Sequence, residues 1–151
     1  ATLADRWVRN RSLYDLDPPF AINRVVAPVS TWRRRDSIAY TQVASGTVLK
    51  GVAGSGGVAT GRARVILDPT DPTDLEPGDV LVAPQTDPSW APLFVSAAAV
   101  IVNVGALGSH AMIVSRELGI PCVVSVEDAT SIIPDGAMVR VDGNTGTVTL
   151  L

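Results

Sequence analysis

The stretch of sequence that decides the fold is GALGSHAMIVSRELGIP, residues 105–121. It follows an apolar run rich in β-branched residues, AAAVIVNV at 97–104, and the apolar spacing over 109–118 is that of a helix. Gly119 and Pro121 are typical of a helix end. The pattern therefore predicts a strand, a loop that contains glycine, and a helix.

The only histidine of the chain, His110, falls in the first turn of this predicted helix. The first amides of a helix have no intrahelical acceptor and the helix dipole is positive there, which favours bound phosphate and a neutral, nucleophilic imidazole. Ser109 is the expected N-cap, and its hydroxyl can bond to the backbone or to a bound oxyanion. Gly105 and Gly108 leave room for a ligand close to the backbone. These features predict a histidine that accepts a phosphoryl group, whereas the alternative is a structural histidine.

Residues 105–121 resemble the phosphohistidine signature of the enzymes that use phosphoenolpyruvate (PEP), such as PEP synthase, pyruvate phosphate dikinase and rifampin phosphotransferase. The resemblance implies an α/β fold, the three-layer β/β/α swivelling domain with a central mixed sheet. It also implies that His110 carries the phosphoryl group on its ε nitrogen between two distant active sites. Further matching segments lie at 51–65, 77–82, 135–136 and 141–143.

The same resemblance divides the chain into a linker or extension from a neighbouring domain, residues 1–44, and a phosphohistidine swivelling domain, residues 45–151. It implies that ATP and Mg²⁺ bind to a separate ATP-grasp-type domain. A further domain would bind PEP and pyruvate or another acceptor, and both domains would lie in the same polypeptide or in another chain. The chain begins with Ala1 rather than Met, which suggests a processed product or a segment cut from a longer protein.

The expected function is the phosphoryl-carrier domain of a phosphotransferase like PEP synthase, of the pyruvate, water dikinase type, which is not catalytically complete alone. One alternative is the carrier domain of an antibiotic phosphotransferase of the rifampin type. Another is a non-catalytic interaction module that has kept the fold. No cofactor or metal is expected in this chain, because it has no phosphate-binding Gly-x-x-x-x-Gly-Lys loop and no clustered carboxylates.

Composition and charge exclude several other classes of protein. Hydrophobic residues make up 46% of the chain and aromatic residues 5%, which predicts a core of small aliphatic side chains. Residues 1–36 have a net charge of +3 and residues 37–151 one of −6, so the main domain is a poor candidate for nucleic-acid binding. No apolar run of membrane-spanning length and no signal peptide are seen, and we expect a cytoplasmic protein. Cys122, the single cysteine, is interpreted as a core residue.

Two more candidate site residues follow the predicted strand at 79–83. If this strand and the strand at 99–104 are parallel neighbours, Thr86 and the loop 105–109 face one cleft. Thr86 is then a candidate to support the phosphohistidine, with turn capping as its alternative. Asp87 is a candidate to accept the second N–H of the imidazole. Arg116, nearly two turns after the histidine, is expected to form a salt bridge or to cap the end of its helix.

The glycine-rich segment 51–61 resembles a dinucleotide fingerprint, but alternating residues follow it where that motif needs a helix. The family resemblance implies a hairpin-like entry to the domain here. Ser55 is interpreted as a turn residue, with a phosphate-facing role or a hydrolase nucleophile as alternatives. The remaining elements predicted are a helix within residues 1–14, short helices over 89–95 and 127–133, and a hairpin of 138–141 with 147–150.

Overall fold

The computed structural model describes residues 2–18, 27–34, 43–70 and 75–151. The chain forms two compact units, residues 1–39 and residues 40–151. Because residues 35–42 lie outside the described parts, the predicted domain boundary at 44/45 stays a prediction. None of the described helices is long and apolar enough to cross a membrane.

The first unit begins with helix α1, Leu3–Tyr14, as the sequence predicted. Thr2 and Asp5 form a capping box: the Thr2 hydroxyl accepts from the Asp5 amide at 3.2 Å, and the Asp5 carboxylate accepts from the Thr2 amide at 2.8 Å. The elements that follow are β1 (Leu16–Asp17), a 3-10 helix (Val29–Thr31) and β2 (Arg33–Arg34), and the two strands pair antiparallel.

The described part of the second unit contains a mixed sheet of eight strands and three α-helices. In spatial order the strands are β3 (Val48–Lys50), β10 (Thr147–Leu150), β9 (Met138–Asp142), β5 (Val58–Val65), β6 (Val80–Ala83), β7 (Ala99–Val102), β8 (Cys122–Val124) and β4 (Val52–Ser55). The helices are α2 (Ala91–Ser96), α3 (His110–Leu118) and α4 (Ala129–Ile132). Strands β5 to β8 run parallel, and all the other pairs are antiparallel.

The sheet folds over on itself at two corners. Strand β5 forms the first, because residues 58–62 pair with β9 and residues 63–65 pair with β6. At the second corner only Gly51 separates β3 from β4, although these strands stand at opposite ends of the sheet. A Cβ atom on Gly51 would lie 2.5 Å from the carbonyl oxygen of Val124, so only glycine fits this corner.

Alternate residues of the parallel strands point into two separate cores. Val80 and Val82 face the core between the two sheet layers, which also contains residues of β9, β10 and α4. Leu81 and Ala83 face the core that α2 and α3 cover. Burial on both faces explains why the parallel strands read as continuous apolar runs. The predicted three-layer β/β/α architecture with a central mixed sheet is confirmed.

The expectation of a hairpin-like entry was wrong. Strand β4 pairs with β8 and strand β5 pairs with β9 and β6, so these two consecutive strands do not pair with each other. The physical reason is that the chain turns from one end of the sheet to its middle between them. The predicted hairpin at the C-terminal end is present, formed by β9 and β10 with Asp142 opposite Thr147.

Candidate functional site

The candidate site is formed by the loops that leave the carboxyl ends of β6 and β7. These strands are parallel, with Ala83 opposite Val102 at their last residues. The two loops then stay together, because the Asn103 amide donates to the Ala83 carbonyl at 3.1 Å and the Val104 amide to the Pro84 carbonyl at 2.9 Å. The parallel pairing on which the candidacy of Thr86 depended is therefore present, and it brings the two loops to one edge of the sheet.

His110 is the first residue of α3 and is half-buried. Its Nδ1 lies 3.0 Å from the hydroxyl oxygen of Thr86, in the loop after β6. The ring of Phe94, a fully buried residue of α2, meets the imidazole edge to face, with 5.7 Å between ring centres and 89° between planes. The Thr86 hydroxyl and the Phe94 ring thus hold the imidazole in place. The hydrogen bond to Thr86 uses Nδ1, so Nε2 is the other ring nitrogen, available to react.

The glycine loop in front of His110 is held close to β8. A Cβ atom on Gly105 would lie 2.7 Å from the Cβ of Val124, so the loop needs glycine there. The Ser125 hydroxyl donates to the Gly105 carbonyl. Gly108 has a φ of +88°, a conformation that glycine adopts without strain. Both glycines are therefore required by the path of the backbone that leads to the helix.

Ser109 is the N-cap residue of α3, as predicted, but its hydroxyl forms no capping hydrogen bond. Its carbonyl accepts from the Ile113 amide at 3.0 Å, whereas its Oγ is buried and has no partner among the described residues. The amides at 110–112 have no intrahelical acceptor because they open the helix. A free hydroxyl and free amides thus lie together at the positive end of the helix dipole, an arrangement that suits an anion.

Two neighbouring charged residues do not support the imidazole. The carboxylate of Asp87 accepts hydrogen bonds from the hydroxyl and the amide of Ser89, at 2.6 and 2.8 Å, and so caps the 3-10 helix Pro88–Trp90. These bonds lower the pKa of Asp87. The expected contact of Asp87 with His110 is therefore wrong, because the hydroxyl of Thr86 forms the hydrogen bond with the imidazole. Arg116 donates from Nε to the Gly54 carbonyl at 2.8 Å, which ties α3 to β4.

The other candidate nucleophiles lie in strands. Cys122 is fully buried in β8, and burial raises the pKa of its thiol to about 11, as expected of a core residue. Ser55 is buried at the end of β4 and not on a strand-to-helix elbow. Among the described residues, no three His, Cys, Asp or Glu side chains come together as a metal site requires.

Sequence reasoning did not single out Phe94 or Ser125, which hold the imidazole and the glycine loop. Phe94 lies in the predicted short helix, where one more apolar residue carries no special signal. Ser125 adopts a φ of +57° after β8, and its residue type does not predict this conformation. Both contacts join segments that are far apart in the sequence, so no local pattern reveals them.

Comparison with known proteins agrees with this geometry. Residues 75–146 match the family described as the PEP-utilising enzyme, mobile domain. A rifampicin phosphotransferase of a Streptomyces species is 43% identical over 141 residues, which cover 93% of this chain and 16% of that protein. A phosphoenolpyruvate synthase of Aeropyrum pernix is 42% identical over 144 residues, covering 89% of this chain and 18% of that protein. The chain thus spans less than a fifth of these relatives.

Among solved structures, the holo-form of Thermococcus kodakaraensis aconitase X is similar with a TM-score of 0.53 at 25% identity. The match covers 70% of this chain and 99% of that chain, so this fold also occurs as nearly the whole of a separate chain. The match over residues 75–146 extends from just before β6 to beyond β9, and it includes His110 and both loops of the site. The chain therefore carries the mobile domain of the PEP-utilising enzymes over residues 75–146.

Proposed function

We propose that His110 accepts a phosphoryl group on Nε2 and passes it between two other domains, as the carrier of a phosphotransferase like PEP synthase. The observation that carries this proposal is the contact of Nδ1 with the Thr86 hydroxyl at 3.0 Å. A neutral imidazole that donates its Nδ1–H to Thr86 keeps its lone pair on Nε2. With this direction of the bond, Nδ1–H to the Thr86 oxygen, the attacking lone pair is already on Nε2 when the phosphoryl donor arrives.

The start of α3 supports the transferred group. The unpartnered hydroxyl of Ser109 and the amides at 110–112 can donate to its oxygens. Gly105 and Gly108 keep side chains out of this part of the loop. Catalysis then rests on positioning and on charge stabilisation, which are the main contributions that a protein makes to phosphoryl transfer.

The chemistry consists of two in-line displacements at phosphorus. In the first, the Nε2–P bond forms while the bond from phosphorus to the leaving oxygen of the donor breaks, and that oxygen takes the electron pair. In the second, an acceptor oxygen bonds to phosphorus, and the Nε2–P bond breaks with its electron pair returning to Nε2. A hydroxyl acceptor loses its proton in this step. Thr86 remains on Nδ1 throughout.

The donor and the acceptor belong to other domains. ATP with Mg²⁺ is the proposed donor, bound by an ATP-grasp-type domain, and PEP and pyruvate are the proposed partners of the second transfer. The small share of the relatives that this chain covers, 16% and 18%, supports a division of the work among several domains. A single carrier then has to alternate between two sites, as the family name, mobile domain, suggests.

The test is labelling of the single histidine. The full-length protein is incubated with ATP labelled at the β-phosphate or with labelled PEP, and we expect an acid-labile, base-stable label on this domain. His110→Ala should remove the label completely while lowering the melting temperature only slightly, because the ring is half-buried and the contacts it loses are those with Thr86 and Phe94. Absence of label with every donor would contradict the carrier role and favour an interaction module with the same fold.

An antibiotic phosphotransferase of the rifampin type is the second candidate. It is favoured by the 43% identity to a rifampicin phosphotransferase over 93% of this chain. The two candidates share the first transfer and differ in the acceptor. The labelled full-length protein is therefore chased with pyruvate or with rifampicin, and the product that carries the label decides between them.

A further inference from the structure

The tip of the site loop is apolar and exposed to solvent. Leu107, three residues before the histidine, is 80% exposed, and the neighbouring Ala106 is also exposed. Ile113, one turn further along α3 and on the same side as His110, is 45% exposed. Single exposed apolar residues are common, but these three residues, here called the apolar tip, lie within four residues of His110 along the chain, on both sides of it.

The segments that form the site carry almost no charge. Residues 84–95 and 103–113 contain one charged side chain, Asp87, and it is acidic. A phosphoryl group adds a charge of about −1.5 to −2 at neutral pH. Neither segment offers a lysine or arginine to neutralise this charge, and Arg116 bonds to the Gly54 carbonyl of β4. The cations that phosphoryl transfer needs must therefore come from the surface that receives the loop.

Resting on the proposed function, we propose that the apolar tip is the docking surface of the carrier and that its partner is the mouth of the donor pocket. That pocket would have an apolar rim and a cationic floor. The rim covers Leu107 and Ile113 and excludes water, while the floor neutralises the phosphoryl group on His110. Apolar contact gives an affinity that does not depend on whether the histidine is phosphorylated, and charge brings the phosphorylated ring into the pocket.

The test uses two donors in the full-length protein. ATP requires docking of the carrier on the donor domain, whereas phosphoramidate, a small phosphoryl donor, reaches the histidine without it. Leu107→Gln and Ile113→Gln should slow labelling from ATP by about tenfold each, which corresponds to the loss of one buried aliphatic side chain from an interface. Labelling from phosphoramidate should stay within about twofold of the wild type.

Leu118→Gln is the matched control. Leu118 is 46% exposed on the same helix, like Ile113, but lies about two turns from His110. It should leave labelling from both donors unchanged. If Leu107→Gln and Ile113→Gln behave like this control, the docking surface is wrong. If they slow labelling from phosphoramidate as much as from ATP, they act on the chemistry of the histidine, and the docking surface is again wrong.

Leu107→Lys tests the charge of the partner. Under an apolar rim beside a cationic floor, the added lysine would lose its hydration and lie near like charges, so it should slow labelling from ATP further than Leu107→Gln does. Faster labelling than in Leu107→Gln would mean that the partner lacks cations, and would overturn this part of the proposal. If the wild type is labelled by neither donor, the carrier function itself fails, an outcome distinct from failure of the docking surface.

Discussion

The two ends of strand β6 differ sharply in how completely their polar groups are paired. At the amino end, the buried carboxylate of Asp79 accepts from Arg62 Nε at 3.0 Å, from Arg62 Nη2 at 2.9 Å and from the Glu76 amide at 2.9 Å. At the carboxyl end, the buried hydroxyl of Ser109 has no partner among the described residues. Buried polar groups are normally paired, so the unpaired hydroxyl at the start of α3 leaves a donor available for a bound anion.

The polar groups that stabilise the fold lie at the amino end of β6, and those proposed to act in phosphoryl transfer lie at its carboxyl end. The amino end closes the turn Glu76–Asp79 and ties it to β7, because the Ala98 amide donates to the Asp79 carbonyl at 2.7 Å. The carboxyl end keeps free amides, an open glycine loop and exposed apolar side chains. Substitutions at the amino end should therefore change the free energy of unfolding, and those at the carboxyl end should change phosphoryl transfer.

The largest expected effect on stability is that of Asp79→Ala. It removes three hydrogen bonds from a buried site and should lower the free energy of unfolding by about 2 to 3 kcal/mol. Glu76→Gln is the control, since the Glu76 side chain is 72% exposed and its ion pair with Arg62 should contribute less than about 0.5 kcal/mol. Chemical denaturation measures both. Equal effects of the two substitutions would show that the amino end is not the stabilising region.

The same carboxylate predicts a pH dependence. The hydrogen bonds from Arg62 lower the pKa of Asp79 below its ordinary value of 3.8. The folded state therefore binds this proton less readily than the unfolded state, and the stabilisation is complete above pH 3.8 and is lost as the pH falls through the lowered pKa. Denaturation curves of the wild type should shift more between pH 5 and pH 3 than those of Asp79→Ala.

Gly105→Ala should change both the free energy of unfolding and the rate of labelling, because Gly105 is packed against the core and also leads to His110. Its Cβ would lie 2.7 Å from the Cβ of Val124, which is fully buried. The strain should cost about 2 kcal/mol of stability and displace the loop that ends at His110, so that labelling slows as well. For stability alone, Ala106→Ser at the exposed neighbouring position is the control. A normal melting temperature for Gly105→Ala would mean that the loop moves freely away from β8.

Thr86→Val should change transfer without changing stability. Valine has nearly the same shape but cannot accept from Nδ1, so the proposed tautomer with its proton on Nδ1 loses its partner. We expect labelling of His110 to slow by about tenfold, which is the value of one hydrogen bond. Thr86→Ser keeps the hydroxyl and should restore most of the rate. If Thr86→Val is labelled as fast as the wild type, the hydrogen bond has no part in the chemistry.

Ser109→Ala should have the smallest effect. Loss of an N-cap normally costs about 1 kcal/mol, but this hydroxyl forms no capping bond, so stability should change by less than about 0.5 kcal/mol. Labelling should slow by about threefold, because one donor to the phosphoryl oxygens is lost. If denaturation shows that Ser109→Ala lowers the free energy of unfolding by about 1 kcal/mol, the hydroxyl caps the helix and is not available to a ligand.

Local sequence patterns predicted the elements that build the site. The apolar run before Gly105, the glycine loop and the helical spacing that ends at Gly119 together predicted α3, and Gly119 is left-handed in the structure. The strands β6 and β7 were predicted as buried apolar runs, and their parallel pairing was a condition that the structure meets. A helix or a strand depends on residues that are close together in the sequence, which is why local patterns could predict these elements.

Contacts between distant segments could not be predicted in the same way. The glycines near β4 and β5 indicated a turn, but the close approach of Gly51 to Val124 depends on β8, which follows more than sixty residues later. The choice of Thr86 over Asp87 as the partner of His110 depends on the direction of one side chain in a loop, and no periodic pattern fixes that direction. The missing cap bond of Ser109 likewise depends on the path of the loop in space.

The most direct test of the account is nitrogen NMR of the imidazole, which is unambiguous because the chain has one histidine. The chain is labelled with ¹⁵N-histidine and its ring is observed before and after phosphorylation. Before phosphorylation, we expect the neutral ring to carry its proton on Nδ1, bonded to Thr86. After phosphorylation, we expect phosphorus coupling at Nε2. A neutral ring protonated on Nε2, or a phosphoryl group on Nδ1, would contradict the account.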